Sequence, residues 1–136
     1  MTSIEKASGR VKRLKMSDVE IAKLFDLWNL AVESGDPKKV TELYDENAIL
    51  LPTVSNKVRH NHSEIEDYFR HFLSKGPRGK IDESNVRAFG DIAINSGLYT
   101  FTFNDKSVVR ARFTFVYKRR FENWMIVEHH SSAMPE

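Results

Sequence analysis

The 136-residue sequence contains no cysteine, which excludes disulfides, thiolate metal sites and a cysteine nucleophile. It lacks any apolar run near the roughly 18–20 residues that a membrane span needs, so no membrane insertion is expected. The N-terminal residues have no apolar stretch of the secretory-signal kind. Together these absences make a cytoplasmic protein the simplest expectation. Neither sign of charge dominates: 21 Lys and Arg face 19 Asp and Glu, for a net +2. The length suits one domain with a real core. Four prolines and six glycines are few enough to act as punctuation, and no internal repeat is visible.

What charge there is lies unevenly. Lys6, Arg10, Lys12, Arg13 and Lys15 stand against Glu5 in residues 1–16. That leader is expected to be separate from a domain at 17–136. It has no aromatic residues, and the remainder has no basic stripe, so nucleic-acid binding is not expected.

Helices come first. "SDVEIAKLFDLWNLAVESGD" repeats Ile21, Leu24, Phe25, Trp28 and Val32 at helical spacing, with Ser17 or Asp18 as its cap and Gly35 as its stop. Asp36 and Pro37 open a second helix carrying Val40, Leu43 and Tyr44. "NAILLP" reads as a short strand. "SEIE" at 63–66 reads as a capping box for a third helix with Ile65, Tyr68, Phe69, Phe72 and Leu73 inward. After Gly76 and Pro77 the period becomes two. "IAINSGLYTFTF", "VVRARFTFVYK" and "NWMIVEHHS" read as long strands joined at 104–107 and 119–122, with an earlier strand near "SNVRAFG". This order predicts an α+β domain.

Alternation along those strands sorts their faces. Asn95, Tyr99, Phe101 and Phe103 share one side, as do Ala111, Phe113, Phe115 and Tyr117. Helices should cover this face. The opposite side mixes Leu98 and Val116 with Thr100, Arg110, Arg112 and Lys118, a mixture suited to an interface or to solvent.

The element order, with "LLPTVSN" (50–56), "ARFTFVY" (111–117) and "HHSSAMPE" (129–136), resembles the association (hub) domain of calcium/calmodulin-dependent protein kinase II. It resembles still more closely that domain's stand-alone bacterial homologues. The resemblance covers residues 17–136. It implies a nuclear transport factor 2-like cone, with three N-terminal helices packed on a strongly curved antiparallel sheet. It also implies self-association into dimers or higher rings, no kinase activity, and a pocket in which arginines bind small carboxylates. A gapless comparison puts those arginine positions at Phe115, Tyr99 and near Glu66. The hub histidine after the last strand matches His130, and His129 replaces a tyrosine.

Several constellations could carry chemistry. Adjacent strand residues point oppositely, so His129 and His130 cannot share a metal, and zinc needs three or four converging ligands. His60 and His62 have a better spacing but no third ligand, so no metal is expected. Ser131 and Ser132 beside histidine suggest a nucleophile, yet no elbow signature accompanies them. Alternation puts His130 and Glu128 on the face of Trp124 and Ile126, where they could form an acid/base pair.

The expected pocket therefore comprises Asn95, Tyr99, Tyr117 and His130, with Tyr68 and Arg59, while Arg110, Arg112 and His129 belong to an interface. The leading expectation is a self-associating, non-catalytic domain for a small metabolite, acids included, without cofactors. A cofactor-free isomerase, dehydratase or cyclase using His130 is the alternative, and a pure oligomerisation scaffold is the third.

Overall fold

In a computed structural model of the chain, residues 3–53 and 55–136 are described, with side chains from residue 18 onward. Helix α1 spans Ser3–Glu33. Ile21, Phe25, Trp28 and Val32 are buried on its inner stripe, as helical spacing predicts. The helix runs unbroken through Ser17 and Asp18, so neither caps it. The side-chain charges of the basic leader lie outside the described residues. Gly35 ends α1 at φ 77°, a conformation that costs glycine no Cβ clash.

Helix α2 (Pro37–Thr41) is capped by Asp36, whose carboxylate accepts from the Lys38 N–H at 3.0 Å. It is shorter than the sequence suggests. The Leu43 carbonyl accepts from the Ile126 N–H at 3.0 Å, which draws the chain into the sheet. Tyr44, expected on this helix, instead opens strand β1 (Tyr44–Leu51). Helix α3 (His62–Phe72) starts earlier than the expected capping box. Asn61 is its cap, accepting from the Glu64 N–H at 2.9 Å, while the Glu64 carboxylate reaches back to the His60 N–H at 3.0 Å. The reciprocal logic is that of a capping box, moved two residues toward the N-terminus.

Strands β2 (Arg78–Phe89), β3 (Ile92–Thr102), β4 (Val108–Arg120) and β5 (Asn123–Ala133) complete a five-stranded sheet of order β1-β5-β4-β3-β2. Neighbours are antiparallel except β1, which pairs parallel to β5. The helices cover one face, where Tyr99, Phe101, Phe113, Phe115 and Tyr117 are buried with α1 and α3.

The sheet has three register shifts, one of them in β1 between Tyr44 and Ile49 and two that bear on the inner face. In β2 the register slips between Ile81 and Glu83 opposite β3. Gly97 lies at that point, and a Cβ there would collide with the Glu83 backbone. In β5, Tyr117 pairs Ile126 and Val116 pairs Glu128, leaving Val127 as an extra residue. Such bulges raise local twist and reverse the facing of everything that follows. At the far end of that hairpin, Arg120 Nε donates to buried Asp45 at 2.5 Å, tying β1 to the β4–β5 turn.

Candidate functional site

A cavity of 580 Å³ lies between α3 and the inner face of the sheet. Trp28, Tyr68, Phe69, Phe72, Tyr99 and Phe101 supply most of its aromatic wall, and Leu50, Val109 and Ala111 its aliphatic part. Its mouth lies between the 3-10 turn after α3 (Ser74, Lys75) and the β3–β4 turn (Asn104, Asp105, Ser107). The two rims are joined where the Asn104 N–H donates to the Lys75 carbonyl at 3.0 Å. Gly76, at φ 63°, lets them close up, because a Cβ would strike the Asn104 side chain. The cations and carboxylates are at this rim, and the interior is apolar but for one wall.

That wall is built around His129. The imidazole is buried and stacks on Phe115 at 4.0 Å between centroids. Nδ1 meets the Tyr44 hydroxyl at 2.7 Å, and Nε2 meets the Tyr99 hydroxyl at 3.3 Å. Trp28 Nε1–H donates to the Tyr44 oxygen at 3.1 Å, and Tyr99 O–H donates to Ser131 Oγ at 2.5 Å. Ser131 in turn touches Thr53 hydroxyl to hydroxyl. Burial, with a smaller contribution from neighbouring His130, pushes the His129 imidazole down to about 3. It is therefore neutral at physiological pH. Burial raises the Tyr44, Tyr99 and Tyr117 hydroxyls, and lifts Tyr68 to about 12 against the opposing Arg59 cation. All four phenols keep their protons.

The bulge at Val127 exchanges the two histidines. His130 and Glu128, placed in the pocket by simple alternation, are exposed on the outer face. His129, assigned to the interface, is the one inside. Tyr99 and Tyr68 line the cavity as expected. Asn95 and Tyr117 face inward and are buried, but lie outside the cavity wall. There Asn95 Oδ1 accepts from Ser84 Oγ at 2.7 Å. Arg59 bonds back to the Leu50 backbone and lays its guanidinium over the outside of the Tyr68 ring, 5.3 Å from the centroid. It lines a separate outer groove rather than the cavity. Arg110 and Arg112 are exposed on the outer face of the sheet.

Sequence reasoning assigned no pocket role to Trp28, Tyr44, Thr53 or Ser131. The first two carry core spacing, and only pairing across the sheet reveals the polar chain. His60 and His62 are engaged locally, with Glu64 and the Tyr44 carbonyl. No cluster of three metal-ligating side chains occurs among the described residues. Nor is any helix among them long and apolar enough to cross a membrane.

Three helices on one face of a bent sheet, with a cavity beneath α3, place the chain among nuclear transport factor 2-like folds. An NTF2-like protein with a cystatin-like fold from Novosphingobium aromaticivorans superposes with a TM-score of 0.77 at 16% identity, over 99% of this chain and 92% of that one. A protein from Streptomyces avermitilis, provisionally assigned as a dehydratase of the NTF2-like family, gives 0.76 at 14% identity over 90% and 99%. These likenesses carry the fold alone. Within that class, residues 17–135 match the calcium/calmodulin dependent protein kinase II association domain, and the chain belongs to that family. A Xanthomonas campestris protein provisionally assigned to the same domain is 50% identical, with a TM-score of 0.83 over 86% of this chain and 87% of that one. Comparison with the curated proteins returns no match.

Proposed function

We propose that the chain is a self-associating domain that binds a small, largely apolar metabolite in the cavity behind α3 and has no catalytic activity of its own. The 580 Å³ aromatic cavity with one polar wall carries this reading. It has the size and lining of small-molecule sites. An acidic ligand would have to keep its carboxylate at the rim beside Lys75, because burying a charge against the aromatic interior is costly. Self-association rests on family membership, with the outer face bearing Arg110, Arg112 and His130 as the proposed contact. The leader 1–16 is proposed to lie outside the binding domain.

The acid/base reading would have to run through His129, since His130 and Glu128 face away. Both ring nitrogens of His129 already face tyrosine hydroxyls, and a general base needs a free lone pair at the substrate. This weighs toward binding. Thermal-shift screening of a metabolite library tests the proposal. Stabilisation by a compound of the folded state is expected, growing with the logarithm of its concentration. If occupied protein then turns over that compound, and His129→Ala abolishes turnover without unfolding, the enzyme reading replaces the binding one.

A further inference from the structure

The polar wall is a single chain of contacts: Trp28 to Tyr44, Tyr44 to His129, His129 to Tyr99, Tyr99 to Ser131, and Ser131 to Thr53. Its direction is set at one end. The indole N–H can only donate, so Tyr44 accepts. The only other partner of the Tyr44 hydroxyl among the described residues is His129 Nδ1. A buried O–H left without an acceptor is costly, so Tyr44 donates to Nδ1. Neutral His129 then carries its proton on Nε2 and donates to Tyr99, which passes its own hydrogen to Ser131.

Six groups bring one hydrogen each to five contacts. One hydrogen is therefore left over, and it falls on the Ser131–Thr53 pair whichever of the two donates to the other. Both residues line the cavity.

Resting on the cavity being a ligand site, we infer that the hydroxyl pair of Thr53 and Ser131 is its hydrogen-bond donor, and that the ligand is an uncharged aromatic or alicyclic molecule whose carbonyl oxygen accepts there. The aromatic wall takes the ring system. A carbonyl needs one donor, which the chain supplies. A carboxylate needs several donors and a counter-charge, and Lys75 at the rim is the only cation lining the cavity among the described residues. Tyr44 and His129 act as positioning residues, holding the spare hydrogen at the cavity end.

The test compares 2-acetonaphthone, 2-ethylnaphthalene and 2-naphthoate on the intact protein by calorimetry, with quenching of the tryptophan fluorescence of a Trp124→Phe variant, which keeps Trp28 alone, as a second readout. The ketone is expected to bind about fivefold more tightly than the hydrocarbon, the factor that one net hydrogen bond provides. A Thr53→Val, Ser131→Ala double variant should lose most of that factor while still binding 2-ethylnaphthalene, which reports that its cavity is intact. Independently of any variant, ¹⁵N spectra of the wild-type imidazole, assigned against His129→Asn, should show a bare Nδ1 and a protonated Nε2. Equal affinity for ketone and hydrocarbon, tightest binding of naphthoate, or the opposite tautomer overturns the inference while leaving the cavity a binding site. Failure of all three probes to bind overturns both readings.

Discussion

His129 sits between two tyrosine hydroxyls without contact to bulk water, so folding takes from it the proton that an unfolded chain would accept. Its folded value of about 3 lies below the ordinary 6.5. Between those limits the unfolded state binds more protons, and stability falls as pH falls. The expected loss is about 1.4 kcal/mol per pH unit from pH 6.5 downward, read by urea unfolding at pH 7, 6 and 5. His129→Gln should flatten that slope; an unchanged slope would place its origin elsewhere. Tyr44→Phe removes both the acceptor of the Trp28 N–H and the donor to Nδ1. A loss of about 1–3 kcal/mol is expected from these unpaired groups, and under half of that would mean the wall rearranges. At this scale the sequence was legible where alternation held, as for Tyr99, Phe113 and Phe115. It was not legible for His129 and His130, because nothing in "WMIVEHHSS" announces that Val127 is unpaired.

Among the elements, the bend between β2 and β3 depends on the missing side chain of Gly97. Alanine there must push back the Glu83 backbone, and overpacking of this kind costs about 1–3 kcal/mol. Gly90 is the control: it has φ 63° but open space around it, so Gly90→Ala should cost only about 1 kcal/mol of backbone strain. Denaturant midpoints of the two variants would separate packing from strain, and equal losses would remove Gly97 from the account. Helix and strand types were readable from period and caps. Element ends were not. Tyr44 fits the apolar stripe of α2 as well as it fits β1, and the choice is made by Ile126 taking the Leu43 carbonyl, a contact 83 residues distant in a chain read locally.

For the whole molecule, membership of an association-domain family directs attention to the outer sheet face. Arg110 and Arg112 are exposed there at successive outward positions of β4, in register with Thr100 and Leu98. If this face is the contact, an Arg110→Glu, Arg112→Glu variant should raise the dissociation constant at least about tenfold. Its Tm at micromolar concentration would fall with the lost association. Light scattering reads the first effect. A variant that assembles like the wild type would move the contact to another surface. Fold and family could be read from residues 17–136 because their wording and element order coincide. The cavity could be anticipated only as a consequence of that fold, since its polar wall joins residues from α1, β1, β3 and β5 and the segment after β1.

The unpaired Val127 also gives β5 one residue of slack. β4 has none, because its ladder with β3 is continuous from Ile92↔Lys118 to Thr102↔Val108. Removing Val127 would straighten the strand and leave His129 opposite Phe115, with the cavity wall intact. Removing Ala111 from β4, by contrast, would turn every later side chain over and put Arg112 where Ala111 is now buried. The molecule can therefore shorten by one residue in its last strand, and not in the one before it.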